Sequence, residues 1–235
     1  MFIVVCISAS ILFGIAWTIL SPMIFGSSLE AELRSWGCDY HYDSIGRSGA
    51  ASLSGRGNLS KPIELAVSSR LSIDRMYIRN AHVDDALMSS MSHIPDLSFV
   101  YIESSKVDVV QTTLPHVSSL EVLSSNLDLR FLKSFPNVEY VGFDKRDLSP
   151  LTSSALNGAP TVVALNVFSV DNIDDDLVDL LLSLKHIECI GFPCFDLVGF
   201  DDPLVEKLNR HFEIGINGKW RTRIDKTKED KGNGE

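Results

Sequence analysis

The sequence is short of basic residues and of cysteine, and it lacks the common catalytic motifs. Its 235 residues include 21 Lys and Arg against 31 Asp and Glu, a net charge of −10, and this charge would oppose general nucleic-acid binding. The four cysteines form no Cys-x-x-Cys pair, which excludes a disulfide framework and a cysteine-rich zinc module. No GxGxxG, P-loop, GxSxG or HExxH motif occurs, so we expect no cofactor, no metal and no catalysis. With 45% apolar residues, the chain has a globular composition.

The N-terminal segment also lacks charge. No Asp, Glu, Lys or Arg occurs before Glu30, and Phe2–Leu20 is almost wholly apolar. Such a run spans about 29 Å as an α-helix, close to the hydrocarbon thickness of a bilayer. We therefore predict a single-pass membrane anchor within residues 1–28, with residues 2–20 in the bilayer and the rest of the chain on the non-cytoplasmic side.

Two other interpretations of this segment stay open. A cleaved signal peptide would give a secreted protein that begins near Ser27, although the basic n-region and the A-x-A-like site typical of cleavage are missing. A buried core helix is the third interpretation, but a charge-free run of this length fits it poorly.

A six-residue pattern, apolar-x-x-apolar-x-apolar, recurs through the middle of the chain. It begins 18 to 25 residues apart at Ile73, Leu97, Leu120, Val138, Val162 and Ile187. The fourth and sixth positions are expected to point into the core from a short strand, and the fifth to point outward. Acidic residues that precede helical apolar patterns, at Asp84, Asp174 and Asp202, fit helix N-caps. A single strand–helix unit cannot bury its apolar face, so the units are expected to stack.

The third unit departs from the pattern. It reads Leu120-x-x-Leu123-x-Ser125, with a serine at a core position and a short distance to the next unit. We interpret it as degenerate, with a tight turn in place of a full helix and with Leu127, Leu129, Phe131, Leu132 and Phe135 filling the interior.

Residues 71–212 resemble leucine-rich-repeat proteins, particularly bacterial ones with an N-terminal membrane anchor. The resemblance implies an α/β solenoid in which a parallel strand ladder carries helices or turns on its convex side, and it implies a binding role. The asparagine that is typical of the ninth position is replaced, by Ala81, Ser105, Asp128, Arg146, Val170 and Phe195. Each turn is therefore expected to satisfy its backbone groups in its own way.

The flanking segments complete the predicted organisation. Residues 29–70 are expected to form an N-terminal cap, with a short helix at Glu30–Trp36, a strand at Cys38–Tyr42 and a flexible loop at Ser44–Lys61. The solenoid would cover residues 71–218 and end in a strand at His211–Ile216. Residues 219–235 are expected to be a disordered polar tail.

The outward strand positions supply the candidate binding residues. They bring four aromatic side chains to one surface, Tyr77, Phe99, Tyr101 and Tyr140, and aromatic residues are enriched in binding hot spots. Cross-strand packing would also explain these aromatics. The sequence thus favours a non-catalytic interaction module that binds a protein or another ligand through this face.

Other residue clusters suggest catalytic or metal-binding functions that the sequence supports less well. An enzyme with a site at His116, Glu121 and Glu139 would have no recognised motif spacing. Asp174–Asp176 fits capping better than a metal site. His93 and His116 lack a recurring third metal ligand. The states of Cys38, Cys189 and Cys194 are left open.

Overall fold

The computed structural model describes residues 29, 31–42, 51–127, 129–193 and 200–224. Its strands are β1 (Cys38–Tyr42), β2 (Ala51–Arg56), β3 (Arg75–Arg79), β4 (His82–Val83), β5 (Phe99–Glu103), β6 (Lys106–Val107), β7 (Ser119–Leu123), β8 (Asn126–Leu127), β9 (Tyr140–Asp144), β10 (Ala164–Phe168), β11 (Cys189–Phe192), β12 (Glu213–Ile216) and β13 (Lys219–Arg221). Its α-helices are α1 (Ser60–Ser68), α2 (Asp85–Met91), α3 (Pro150–Asn157), α4 (Asp175–Leu182) and α5 (Pro203–Asn209). Two 3₁₀ helices cover Leu129–Ser134 and Lys145–Asp147, and residues 31–35 are also helical.

Ten of these strands form one mostly parallel sheet. Its order is β1-β2-β3-β5-β7-β9-β10-β11-β12-β13, so each strand lies beside the next long strand of the chain. The strands from β2 to β12 are parallel, and β1 and β13 add antiparallel hairpin partners at the two edges. A second, three-stranded parallel sheet has the order β4-β6-β8. The predicted α/β class with a parallel sheet is confirmed.

Alternate residues of each strand form the core. The fourth and sixth positions of the sequence pattern lie in register from strand to strand, as Met76 with Val100 and Ile78 with Ile102 do. These four side chains are fully buried. They join one continuous cluster with the apolar faces of the helices on the same side of the sheet. Fully burying a Val, Leu, Ile or Met side chain stabilises a fold by about 1.5–3 kcal/mol, so this cluster accounts for the stacking of successive strands.

The predicted register of the third unit is wrong by three residues. In β7, Leu120 and Val122 are buried and pair with Val141 and Phe143 of β9, while Leu123 is only half-buried. The unit therefore begins at the buried Val117 and reads Val117-x-x-Leu120-x-Val122. Its connection to β9 contains a 3₁₀ helix, and Phe131, Leu132 and Phe135 are buried there. Their burial agrees with the expected turn in place of a full helix.

The corrected register explains the serine that seemed out of place. Ser125, rather than Asp128, takes the ninth position of the third unit. Its hydroxyl accepts a hydrogen bond from the backbone N–H of Ser105 at 3.1 Å, and the Ser105 hydroxyl accepts one from Ala81 N–H at 3.2 Å. The two hydroxyls also donate to the carbonyls of Leu123 and Glu103. A ladder of two serines thus satisfies backbone groups of these buried turns.

Both ends of the sheet extend further than predicted. The expected flexible loop at Ser44–Lys61 contains β2 and the start of α1. Strand β2 forms because it lies between β1 and β3, so neighbouring strands satisfy its backbone despite its weakly apolar sequence. Residues 219–221 of the expected polar tail form β13. The turn before β13 places Asn217 and Gly218 at φ values of 48° and 76°, which suit a tight hairpin turn.

Several local predictions are confirmed. The strand at Cys38–Tyr42 is present, and Gly37, at φ 73°, ends the preceding helical residues. The predicted final strand is β12.

The acidic helix caps are also confirmed. The Asp84 carboxylate accepts a hydrogen bond from Leu87 N–H at 2.9 Å. Asp174 accepts one from Leu177 N–H at 2.9 Å. Asp202 caps α5 in the same way.

Within the described ranges, no helix has the length and apolar character needed to cross a membrane. The predicted anchor at residues 1–28 lies outside these ranges, as do residues 225–235 of the predicted tail.

Candidate functional site

The face of the large sheet opposite the buried cluster carries the candidate binding residues. We call it the strand face. The parallel register aligns Tyr77 of β3 with Tyr101 of β5 and places Phe99 beside Arg75. The Tyr77 ring centroid lies 5.6 Å from that of Phe99 and 5.7 Å from that of Tyr101. Three of the four predicted aromatic residues therefore form one contiguous group, the aromatic cluster.

An arginine borders the aromatic cluster. The Arg79 guanidinium lies 5.6 Å from the centroid of the Tyr101 ring, within the range of a cation–π contact. Its Nε donates to Glu103 Oε2 at 2.9 Å. Burial, together with the negative charge of Glu103, raises the pKa of Tyr101 above its usual value. The cluster thus presents the Tyr77 and Tyr101 rings next to the Arg79–Glu103 ion pair.

Tyr140 occupies a different place on the strand face. It lies two strands from Phe99 in the same row, with Ser119 between them. Its hydroxyl donates a hydrogen bond to Glu121 Oε1 at 3.1 Å. The sequence predicted Tyr140 as a fourth aromatic contact residue, and the structure gives it a carboxylate partner.

A depression separates the aromatic cluster from Tyr140. It has a volume of about 400 Å³ and is lined by Asp74, Arg75, Ser98, Phe99, Ser119, Glu121 and Tyr140. The small side chain of Ser119 leaves room between the Phe99 and Tyr140 rings. The depression therefore combines two aromatic walls with charges of both signs.

The residue beside Glu121 leaves room for its side chain to lie against the sheet. It pairs with Gly142 of β9, where an added Cβ would lie 2.9 Å from Glu121 Cγ. Glycine at this position leaves the space that the Glu121 stem occupies. Burial raises the Glu121 pKa above its usual value, and the hydrogen bond from Tyr140 partly opposes this effect. Burial and the Glu121 charge also raise the pKa of Tyr140, so Tyr140 remains a donor at physiological pH.

The three residues of the enzyme alternative do not meet in the depression. Glu121 lines it, whereas His116 and Glu139 are exposed and are not among its lining residues. A half-buried carboxylate with a tyrosine donor can accept hydrogen bonds or a cation from a ligand.

Two other titratable candidates, Asp174 and His93, have structural partners. Asp174 caps α4 and accepts a hydrogen bond from Lys145 Nζ at 2.8 Å. His93 Nδ1 lies 2.7 Å from the carbonyl oxygen of Ser89. Across the described part of the chain, no group of three or more His, Cys, Asp or Glu residues is arranged to hold a metal ion.

The described cysteines are free thiols. Cys38 is buried, and burial, with the nearby Asp39 charge, raises its pKa to about 11. Cys189 donates a weak hydrogen bond to Glu213 Oε2 at 3.7 Å. Cys194 lies outside the described residues.

No protein-family model matches this sequence, and a search of curated proteins finds no match.

Proposed function

We propose that this protein is a membrane-anchored interaction module of the leucine-rich-repeat kind that binds a protein ligand through its strand face without catalysis. The observation that carries the proposal is the aromatic cluster of Tyr77, Phe99 and Tyr101 beside the depression at Glu121 and Tyr140.

The repeat assignment is supported by the spacing of the parallel strands. Strands β2, β3, β5, β7, β9, β10, β11 and β12 begin 20 to 25 residues apart, within the 20–29-residue period of leucine-rich repeats. The serine ladder at Ser105 and Ser125 occupies the position that asparagine holds in that family. Stacked repeats commonly bind through an extended surface formed by equivalent positions of successive units.

The binding role is supported by the chemistry of the strand face. Tyrosine and arginine are enriched at the centres of protein interfaces, because they offer a large contact area together with polar groups. Here Tyr77 and Tyr101 lie beside Arg79, and all three retain exposed surface. The same rings also pack across strands at 5.6–5.7 Å, so the test has to separate binding from packing.

The membrane anchor is supported by the charge-free run at residues 2–20. We place the rest of the chain on the non-cytoplasmic side. A secreted form of the same module would differ in having its mature N-terminus near Ser27. Alkaline extraction of membranes and N-terminal sequencing distinguish these forms, since the anchored protein resists extraction and retains its first residues.

Crosslinking in intact membranes, followed by affinity capture of the full chain, tests the binding role. The double variant Tyr77→Ala/Tyr101→Ala is compared with the unaltered chain and with Trp36→Ala, which removes an exposed aromatic residue outside the cluster. We expect the unaltered chain and Trp36→Ala to capture the same protein, and the double variant to capture at least tenfold less with little change in thermal midpoint. Undiminished capture, or a loss of stability that matches the loss of capture, would show that the rings serve packing.

A further inference from the structure

The helix side of the sheet is interrupted between α2 and α3. Helix α2 connects β3 to β5, and α3 connects β9 to β10. The two connections between them consist of non-helical residues 108–118 and of a segment that contains the 3₁₀ helix Leu129–Ser134. Three strand intervals of about 4.8 Å put α2 and α3 roughly 14 Å apart along the sheet. Packed helices lie about 8–10 Å apart, so these two do not close the gap.

A groove with a volume of about 1060 Å³ lies in this interval, between residues 106–109 on one side and α3 on the other, with residues of the 3₁₀ segment between them. Leu132 and Phe135 form part of its floor and are buried. Leu151 of α3 and Val109 of the non-helical connection line its sides, with 75% and 39% of their surface exposed. The volume exceeds that of most small-molecule sites. The groove therefore suits several side chains of a peptide.

The charge of the groove is opposite to that of the chain. Three of its lining residues are basic, Lys106, Arg130 and Lys133, and one is acidic, Asp108. Asp108 lies 3.1 Å from Lys106 Nζ and 2.6 Å from His82 Nε2, so Lys106 and Asp108 offset each other and Lys133 is the lysine of the groove left to meet a ligand carboxylate. A local excess of positive charge on a chain of net charge −10 favours an acidic ligand.

The backbone of the floor argues for a helical ligand. Strand β6, which contributes Lys106 and Val107, is paired on both sides, with β4 and with β8. Both of its edges are therefore taken, and an extended peptide lying over it would gain no strand pairing from it. An amphipathic helix needs only an apolar groove, and here it would take the place of the missing helix layer.

We infer that this groove binds an acidic amphipathic helix from a partner protein, with the apolar face of the helix on Leu151, Val109 and Leu132 and its carboxylates near Lys133. This interaction is independent of the strand face, which lies on the opposite side of the sheet.

Selection from a displayed library of random 16-residue peptides tests the inference. The target is the full chain in detergent, and the affinities of the enriched peptides are then measured by fluorescence polarisation. We expect enriched sequences with apolar residues at helical spacing and an excess of Asp and Glu. No enrichment, or enrichment of basic or uncharged sequences, would overturn the inference.

Variants locate the binding site of the selected peptides. Leu151→Asp and Lys133→Glu are each expected to weaken binding at least tenfold. Lys185→Glu reverses an exposed charge outside the groove, and Tyr77→Ala/Tyr101→Ala alters the strand face, so neither should change the affinity. Leu151 is an exposed residue in the first turn of α3, where aspartate is compatible with the helix dipole, and a thermal melt checks the fold. Binding that survives both groove substitutions would place the peptide elsewhere and refute the proposal.

Discussion

Tyr140 and Glu121 form a hydrogen-bonded pair across two neighbouring strands of the strand face, with 3.1 Å between the tyrosine hydroxyl and Oε1 of the carboxylate. Gly142 leaves room for the Glu121 stem. The pair is thus held in a half-buried position that disfavours the charged carboxylate, and the Glu121 pKa is raised.

Glu121→Gln is expected to raise stability at neutral pH. Because the Glu121 pKa is higher in the folded state than its ordinary value of 4.5, its stabilising effect is fully present below about pH 4.5 and is lost as pH rises through the folded value. Glutamine keeps an acceptor for Tyr140 and carries no charge. We expect a rise of at most a few degrees in thermal midpoint at pH 7, since about 1 kcal/mol corresponds to about 2–4 °C in a domain of this size. At pH 4 the difference should shrink.

The control for this prediction is Glu139→Gln, which neutralises an exposed carboxylate next to Tyr140. It should leave the thermal midpoint at pH 7 nearly unchanged. A Glu121→Gln protein that is less stable than the original at pH 7 would contradict the assigned cause of the pKa shift.

Ser105→Ala is expected to destabilise the fold by about 1–3 kcal/mol, the cost of leaving a buried polar group without its partner. The substitution removes the acceptor of Ala81 N–H and a donor to the Glu103 carbonyl. Urea denaturation measures the change in the free energy of unfolding. Ser89→Ala, at an exposed position of α2, is the matched control and should be close to neutral, since alanine favours helix. Equal effects of the two substitutions would rule out the ladder as a stabilising feature.

Two substitutions of Asp174 separate its role as a helix cap from its ion pair with Lys145. Its pKa is lowered first by the Lys145 hydrogen bond and then by Leu177 N–H. The stability from this lowered pKa is therefore present above the ordinary value of 3.8 and is lost as pH falls below it. Asp174→Asn keeps the cap and loses only the partly exposed ion pair with Lys145, worth about 1 kcal/mol or less. Asp174→Ala loses both and should cost about 1 kcal/mol more.

Unfolding experiments at pH 7 and pH 3 check this order. The Asn and Ala variants should both differ less from the original protein at pH 3 than at pH 7, because the stability that comes from the lowered Asp174 pKa is lost progressively as pH falls below 3.8. If Asn and Ala cost the same at pH 7, the cap hydrogen bond to Leu177 contributes nothing measurable.

Apolar spacing predicts most of the sheet, because buried strand positions have to recur as the strands stack. It misplaces the third unit because Leu123 is apolar but points toward the strand face, so that Leu120-x-x-Leu123 imitates the pattern that begins at Val117. Strands β2 and β13 are missed for a different reason. Pairing with neighbouring strands stabilises them, and single-sequence patterns do not contain that information.

The aromatic cluster is predictable because Tyr77 and Tyr101 share the fifth position of adjacent units. The Glu121–Tyr140 pair and the groove depend on finer features. The pair requires the register of β7 with β9, which the shifted third unit obscures. The groove requires two neighbouring connections without α-helices, and the sequence predicts a turn only in the second of them.

Trp220 and Gly215 provide a test of the C-terminal hairpin. They are paired across β12 and β13, and a Cβ at Gly215 would lie 2.8 Å from the indole ring. Gly215→Ala should therefore destabilise the hairpin by displacing Trp220. In a Trp220→Ala background the clash is absent, and alanine should stabilise the strand by about 0.5–1 kcal/mol relative to glycine. In a double-mutant cycle measured by urea denaturation, the effect of Gly215→Ala on the free energy of unfolding should thus change sign between the two backgrounds.

Gly218→Ala is the control. Its cost comes from a φ of 76°, with no atom near the added Cβ, so this cost should be the same in both backgrounds. An equal cost of Gly215→Ala with and without the indole would mean that the ring does not rest on this glycine in solution.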